Sequence, residues 1–337
     1  MGRPMLRILV VCLFMVLAKI AEGKEGLIGM SLPSDFAAFS VNSPWNTPIP
    51  KDARIDPYSK DMIKNLKAKA GFLKGDMTKW NIPLFVIDYE KSPKTRVYIK
   101  ERRANPEVDP DDDGIVEDIP MPEGVWPDPE SDGHMTLVDP VLRREWDFST
   151  LKQSEQGAWL ASRVDVWDLN GSGYRTPFAG KNWWMYGARG SGMPLIAGLI
   201  RPEEIAAGEI RHALVFASPV NRLRLFGDKG QQVCSPPASR TDAKGIGFDY
   251  IPEGARLQLD PALDIDTLNI SKETKVIARA LQKYGMYNAD NSPTFKLYLQ
   301  NLGHDRGAWK DISDFNDLRN IPVERFRVLS CSLFERP

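Results

Sequence analysis

The sequence predicts a mainly β fold, a β-sandwich of the jelly-roll type with a few peripheral helices. The 26 glycines and 26 prolines are scattered at short intervals through 337 residues. The stretches between them are brief and rich in Val, Ile, Leu, Phe, Tyr and Trp, which is typical of strands joined by turns. Helical patterns are few, so helices are expected only around the sheets.

The chain begins with the pattern of a secretory signal peptide. Two arginines precede the apolar run ILVVCLFMVLA (8–18), and the small residues Ala21 and Gly23 follow it. The run is shorter than the roughly 20 apolar residues that span a bilayer. We therefore expect residues 1–23 to be removed and residues 24–337 to form a single β-rich domain. That domain should be periplasmic or secreted, with no membrane partner after cleavage.

The remaining elements follow in order along the chain. Strands are predicted at 83–89, 95–100, 134–139, 144–149, 158–169, 211–217 and 255–260. Helices are predicted at 56–71, at 201–210 with proline in its first turn, and at 271–285, which has a serine cap and ends at glycine. The segment 101–133 holds many acidic residues and prolines and indicates an extended surface insertion.

Charge and cysteine usage restrict the partners. The formal net charge is −1, and it becomes −3 when residues 1–23 are removed. Binding of nucleic acid through bulk electrostatics is therefore not expected. Cys234 and Cys331 could pair in an oxidising compartment, and two unpaired buried thiols explain the sequence equally well.

One acidic motif suggests a structural calcium ion, which is the single cofactor that the sequence suggests. The enzymatic reactions considered for this chain require no cofactor. In DPDDDG, Asp109, Asp111 and Asp113 alternate before a glycine, the pattern with which calcium loops converge carboxylate oxygens. The twelfth loop position is Pro120 instead of a bidentate glutamate. A solvated acidic turn explains the same residues.

Clustered aromatic residues suggest a carbohydrate surface. Trp183, Trp184 and Tyr186 stand beside a glycine-rich segment, and sugar rings stack on such side chains while polar groups bind their hydroxyls. The polar or aromatic partners considered are Arg189, Arg201 and Tyr287. If 158–169 is one unbroken strand, Trp159, Arg163, Asp165 and Trp167 share a face. Aromatic residues that fill or flank a sandwich core would give the same pattern.

Acidic side chains provide candidates for glycosidic bond hydrolysis, which uses two carboxyl groups. Glu145 and Asp147 lie two apart on a predicted strand and so share a face. Asp165 is a third candidate, and Glu204 and Asp290 are further ones. The outer face of an exposed strand would carry the same alternation of charge.

Two histidines are candidates for a catalytic base. His212 precedes the apolar residues of strand 211–217, and His134 opens strand 134–139. A neutral imidazole can abstract the proton beside a uronate carboxyl group, with a tyrosine as acid and an arginine neutralising the carboxylate. A hydrogen-bonded core histidine is the structural alternative for each.

Several other chemistries lack their motifs. GARGSGMP has neither a Walker A ending nor G-x-G-x-x-G, so it does not indicate a phosphate loop. There is no G-x-S-x-G segment, and no H-E-x-x-H or close cysteine pair suggests zinc.

A set of blocks resembles a group of exported bacterial proteins. The blocks are SPWNTPIP, HMTLVDP, RHALVF, GARLQLDP and ALQKYGMYNADN, and the resemblance extends over most of residues 24–337. The resemblance implies one exported, mainly β domain, whose general look is similar to β-sandwich carbohydrate-active proteins. No catalytic role is carried over, because fold alone does not determine function.

The sequence thus favours an exported enzyme that cleaves a polysaccharide. Hydrolysis by paired carboxyl groups is the leading hypothesis. A polysaccharide lyase with His212 as base is the first alternative, and a noncatalytic glycan-binding or cell-surface module is the second.

Overall fold

The computed structural model describes residues 24–100 and 105–336. The predicted signal peptide, residues 1–23, lies outside the described residues. Within them, no helix combines the length and apolar character needed to cross a membrane.

The described residues form a mainly β structure, as predicted. The strands are β1 (Leu27–Gly29), β2 (Leu73–Asp76), β3 (Leu84–Ile87), β4 (Lys94–Ile99), β5 (Ile115–Pro120), β6 (Met135–Asp139), β7 (Arg144–Ser149), β8 (Lys152–Gln153), β9 (Trp159–Ala161), β10 (Arg163–Asp168), β11 (Leu214–Ser218), β12 (Asn221–Arg224), β13 (Gln232–Cys234), β14 (Gly245–Ile246), β15 (Ile251–Pro252), β16 (Arg256–Leu259), β17 (Met286–Asn291), β18 (Phe295–Tyr298), β19 (Phe326–Val328) and β20 (Leu333–Glu335). The α-helices are α1 (Ser59–Ala70), α2 (Pro202–Ala207) and α3 (Lys272–Lys283). Short 3-10 helices cover Trp183–Met185, Ile265–Thr267, Gly307–Asp311, Asn316–Asn320 and Val323–Arg325.

Three sheets carry most of the structure. The outer sheet has the order β5-β4-β9-β8, the central sheet β1-β3-β6-β7-β10, and the helix-backed sheet β19-β16-β17-β11-β18-β2. The helix-backed sheet is mixed, because β11 runs parallel to β17 and β18 runs parallel to β2. Two smaller sheets, β14-β12-β15 and β13-β20, complete the strand pairing.

Alternating side chains show how the sheets stack. In β3, Leu84 and Val86 share an apolar core with Val215 of the helix-backed sheet. Phe85 and Ile87 point to the opposite face and share a second core with the outer sheet. Because successive strand residues face opposite sides, the central sheet is buried on both faces.

The helices cover the far face of the helix-backed sheet. Phe216 of β11 packs in one core with Leu66 of α1 and Ile277 of α3. Helix α3 begins as predicted, since the Ser271 hydroxyl accepts a hydrogen bond from the Thr274 backbone N–H at 3.2 Å. The result is the sandwich-like fold with peripheral helices that the sequence predicts.

The predicted long strand 158–169 is divided at Ser162. Its first part, β9, belongs to the outer sheet, and its second part, β10, belongs to the central sheet. Trp159 therefore packs in the outer core, and it does not share a face with Asp165 as an unbroken strand would require.

The acidic segment contributes to a core as well as to the surface. Strand β5 lies within it and pairs with β4, and Val116 and Ile119 are buried against the central sheet. The sequence indicated only a surface insertion at 101–133, because Val116 and Ile119 are few and stand among many carboxylates.

The two cysteines of the described residues are joined. Cys234 ends β13, and its Cα atom lies 5.6 Å from that of Cys331, 97 residues further along the chain. The bond ties β13 to the segment that leads into its partner strand, β20.

Removing this disulfide should lower the free energy of unfolding by about 3–5 kcal/mol, because a bond across a loop of roughly 100 residues restricts the unfolded chain. The measurement is guanidinium unfolding of the wild type and of the double variant Cys234→Ser, Cys331→Ser. Reductant should lower the stability of the wild type to that of the variant and leave the variant unchanged. Equal stability without reductant would contradict the pairing.

Candidate functional site

Six polar side chains converge between the central and helix-backed sheets. We call them the Asp290 cluster: His134, Arg189, Asp242, Asp290, Lys296 and Tyr298. The Tyr298 hydroxyl donates to Asp290 Oδ2 at 3.4 Å. The Arg189 guanidinium lies 4.6 Å from the centre of the Tyr298 ring, and Lys296 Nζ lies 4.8 Å from it.

A β-bulge brings Asp290 into this group. Tyr287 and Ala289 of β17 face the core shared with the central sheet, so regular alternation would turn Asp290 to the opposite face. The register of β17 with β11 shifts between Phe216 and Ala217, where Ala217 pairs with Asp290. A bulge of this kind re-aims the next side chain. Asp290 consequently reaches Tyr298.

Strand alternation places Lys296 and Tyr298, and His134 stands just before a strand of the central sheet. Lys296 and Tyr298 lie two apart in β18, so both point toward the central sheet. His134 stands two residues before Thr136 of β6, whose hydroxyl contacts Glu145 on the same side of the sheet. The helix-backed sheet thus supplies three members of the cluster from its strands, and the central sheet is represented by His134, the residue before β6.

The glycine-rich segment carries Arg189 and approaches Asp242 closely. Gly187 has a φ of +73°, and a Cβ there would lie 2.5 Å from the Gly192 backbone. A Cβ at Gly190 would lie 2.4 Å from Asp242 Oδ1. Only glycine allows these approaches. The segment that lacks a phosphate-loop motif is thus a tight turn around a buried arginine.

Glu145 and Asp147 hold the chain that follows this turn. Glu145 Oε1 accepts from the Ile196 backbone N–H at 2.7 Å, and Asp147 Oδ2 accepts from the Leu195 N–H at 2.8 Å. Both carboxyl groups are completely buried. Burial and the charge of Asp147 raise the pKa of Glu145, and burial raises the pKa of Asp147 to about 6. The two carboxyl groups therefore hold the backbone that follows the Arg189 turn, and neither reaches solvent.

The environment of the cluster changes the protonation of its members. Burial, followed by the charge of Asp242, raises the pKa of Asp290 to about 7. Burial and the charge of Arg189 lower the pKa of His134 to about 3, so its imidazole is neutral at neutral pH. Burial also lowers the pKa of Lys296 to about 8. Strongly shifted groups gathered at one place indicate a functional site.

Two carboxyl groups of the cluster are open to solvent to different degrees. Asp242 is exposed and Asp290 is partly exposed, whereas His134, Arg189 and Tyr298 are buried. A proton-bearing carboxyl group near a solvated carboxylate is the arrangement that acid–base catalysis requires.

Asp165 lies in a separate group. It accepts hydrogen bonds from Asn105 at 2.7 Å and from Arg175 at 2.6 Å, and it is fully buried. Arg175 in turn stacks on Trp167, with 3.8 Å between its guanidinium carbon and the ring centre. These contacts fix the end of β10 against the acidic segment.

Two of the predicted aromatic residues line a pocket of about 410 Å³, here called the Trp183 pocket. Trp183 and Tyr186 form part of it, together with Arg175 and Ser239. Arg240, which follows Ser239 in the chain, donates a hydrogen bond to the Tyr186 carbonyl at 2.8 Å. It so connects the pocket to the segment that carries Arg189. Trp184 is exposed beside it and meets Trp183 edge to face.

His212, Glu204 and Arg201 form a third group. Arg201 Nη2 donates to Glu204 Oε1 at 2.8 Å, and His212 Nε2 lies 3.0 Å from the same oxygen. His212 lies just before β11, not within it. Burial opposes ionisation of Glu204, but the charges of His212 and Arg201 outweigh it and lower the pKa of Glu204. The group closes the start of α2, and its contacts favour a structural role for His212.

The remaining predicted residues lie elsewhere. Tyr287 is buried, and its ring meets Trp45 edge to face at 5.0 Å. The carboxylate oxygens of Asp109, Asp111 and Asp113 lie within 4.8 Å of one another. Asp109 also accepts from the Gly114 backbone N–H at 3.0 Å, which is how an acidic turn is held without a metal. The calcium site stays a prediction.

Sequence reasoning named three of the six residues of the Asp290 cluster and missed three. His134, Arg189 and Asp290 were candidates, and Glu145 with Asp147 stands behind them. Asp242, Lys296 and Tyr298 were not. The alternation of Lys296 and Tyr298 in TFKLYLQ is a strand signal that could have placed both on one face. No signal could have placed Asp242, because it lies in a loop.

No family model, curated protein or solved structure matches the chain.

Replacing Glu204 by Gln should lower the free energy of unfolding by about 3–5 kcal/mol, because it leaves Arg201 buried without its counter-charge. His212→Ala should cost only about 1–2 kcal/mol, since it removes the hydrogen bonds of the ring to Glu204 and to the Ala213 carbonyl but leaves the buried Arg201–Glu204 pair intact. Both are measured by denaturant unfolding at neutral pH.

Glu209→Gln is the matched control for this group, because Glu209 pairs with Arg211 and Lys283 at the surface and should cost less than about 1 kcal/mol. A Glu204→Gln variant as stable as this control would rule out the buried ion group.

Proposed function

We propose that this chain is an exported enzyme that hydrolyses glycosidic bonds in a polysaccharide, with Asp290 as general acid and Asp242 as the second carboxylate. Export is supported by the signal-peptide pattern, and the disulfide is compatible with an oxidising compartment.

The observation that carries the proposal is the state of Asp290. A general acid must hold a proton at the working pH and also reach the substrate. Asp290 meets both conditions, since its pKa is raised to about 7 and its side chain is partly exposed. Glu145 and Asp147, the pair favoured by the sequence, also have raised pKa values, but both side chains are completely buried.

Asp242 is the natural partner of this acid. Its negative charge is among the causes that keep the proton on Asp290, and Asn291 Nδ2 fixes its Oδ1 at 2.6 Å. In hydrolysis the ionised carboxylate either attacks the sugar or activates water, while the acid protonates the departing oxygen. Tyr298 holds the Asp290 carboxyl group in place from the buried side.

A polymer substrate is supported by the surroundings of the cluster. The Trp183 pocket adjoins it through Arg240 and offers four aromatic rings together with Arg175 and Glu107. Such a mixture suits a sugar ring, whose two faces are apolar and whose edge carries hydroxyls.

Elimination is the second candidate, and one observation favours it. The neutral imidazole of His134 lies beside Arg189, near Tyr298, and these are the base, the carboxylate-binding cation and the acid that a lyase would use. His134 and Tyr298 are nearly inaccessible, however, at 5% and 4% exposure. Hydrolysis through the more exposed Asp290 is therefore the better supported reaction.

On a panel of neutral and uronate polysaccharides, the wild type should release reducing ends from at least one polymer without the ultraviolet absorbance of unsaturated products. Asp290→Asn should reduce this rate by about 10²–10⁴, the usual contribution of a general acid. Asp52→Asn, which removes an exposed carboxylate outside the cluster, should leave the rate unchanged.

The outcomes separate the three functions. Reducing ends that appear with absorbance mean elimination, and retention of a polymer without any release means a binding module. An Asp290→Asn variant with full activity would overturn the assignment of the acid.

The activity should also fall as the pH rises through about 7. Only the protonated form of Asp290 can donate, and its raised pKa keeps that form abundant up to this value. The measurement is kcat/KM from about pH 5 to about pH 9, with the unfolding free energy followed over the same range as a control. A rate that rises above pH 7 while the protein stays folded would contradict the proposal.

A further inference from the structure

A second pocket has no role in the proposed hydrolysis. It encloses about 640 Å³ and is lined chiefly by Trp126, Met30, Leu302, Glu130, His304 and Asp305. Its volume lies within the range of small-ligand sites. We call it the Trp126 pocket.

We propose that the Trp126 pocket binds a sugar unit of an uncharged polysaccharide and holds the polymer beside the Asp290 cluster. The assignment of a sugar rests on the proposed hydrolytic function, and it deepens that proposal by naming a neutral substrate.

The indole of Trp126 is presented as a fixed platform. Its ring meets Phe85 of the outer core edge to face, at 5.5 Å and 90°. Gly303, with a φ of +89°, passes over it, since a Cβ there would lie 3.5 Å from the Trp126 ring. A ring that is already fixed loses little entropy when a ligand stacks on it.

The polar floor of the pocket is also preorganised. Asn301 donates to Asp128 Oδ2 at 3.0 Å and to the Thr78 carbonyl at 3.1 Å. The side-chain oxygen Oδ1 of Asn301 accepts from the Gly303 backbone N–H at 2.9 Å. The loop that carries His304 and Asp305 is therefore tied to the sheet at its first residue.

The charges that line the pocket argue for a neutral ligand. Lys79 and His304 are the basic residues among the lining residues, and Lys79 Nζ lies 3.5 Å from Glu130. Asp305 is matched by Lys310, whose Nζ lies 3.6 Å from Asp305 Oδ2. Because both lysines are already paired with carboxylates, an anionic chain would gain little from either cation, whereas hydroxyl groups can donate to the carboxylates and accept from the lysines.

The position of the pocket connects it to the cluster. Glu130 lines the pocket, and two residues later Asp132 contributes to the raised pKa of Asp290 through its charge. The short loop between Trp126 and Asp132 is thus shared by both sites. A polymer that leaves the pocket over this loop arrives at the proposed acid.

The test measures binding separately from cleavage, in the Asp290→Asn background, by affinity electrophoresis and calorimetry. The probes are neutral glucan, xylan and mannan, and anionic polygalacturonate and alginate. At least one neutral polymer should bind, and Trp126→Ala should weaken it about tenfold or more, as loss of a buried aromatic anchor does. Trp126→Phe should recover part of the affinity.

Phe226→Ala is the control, because it removes a ring that is 73% exposed at another place, and it should bind as the parent does. If Trp126→Ala does not fold, Asp305→Ala at the exposed rim gives the same test with a loss of about threefold or more.

Binding that is equal in Trp126→Ala and the parent, or that is confined to the anionic polymers, overturns this inference. If the active enzyme still cuts a polymer in that case, the proposed hydrolysis stands. Trp126-dependent binding of a neutral polymer by a chain that cuts nothing would support the pocket and refute the hydrolysis.

Discussion

The site depends on two hydrogen bonds between the central sheet and the chain that crosses it. Glu145 and Asp147 accept the backbone N–H groups of Ile196 and Leu195, and these bonds lie in a region closed to water, where an unpaired backbone donor would cost roughly 1–3 kcal/mol. They fix the segment between the two sheets. Arg189 is held at one end of that segment, and the cluster forms around it.

Carboxyl groups have two different roles in this arrangement: some hold the structure together, and Asp290 is the proposed acid. Among the buried carboxyl groups of the described residues, those of Glu145, Asp147, Asp165 and Glu204 were candidates from the sequence, and each binds backbone or an arginine. Asp290 differs because it combines a buried setting with an opening to solvent. Accessibility, more than acidity, distinguishes the proposed acid from its neighbours.

The fold was largely predictable from the sequence, whereas the site was predictable only in part. Turn residues and short apolar runs indicated β3, β6, β7 and β16 to within a residue or two, because strand formation follows local composition. The grouping of side chains depends on pairings between distant strands. The break at Ser162 overturned the expected face of Trp159, and the bulge at Asp290 lies in β17, a strand that the sequence analysis did not predict. Alternation cannot reveal either interruption. The contact of His212 with Glu204 was not predicted either. It depends on the turn that follows α2, which brings the two side chains together.

The helix-backed sheet sets the order in which the molecule can form. Its edge strand β2 comes from residues 73–76 and pairs with β18, residues 295–298. That pairing spans more than 200 residues of intervening chain, and contacts between such distant segments slow folding because the loop must close first. The walls of the cluster therefore come together only after nearly the whole chain is present. An early fragment ending before β17 would contain the supporting carboxyl groups and the glycine-rich turn, but it would lack the acid.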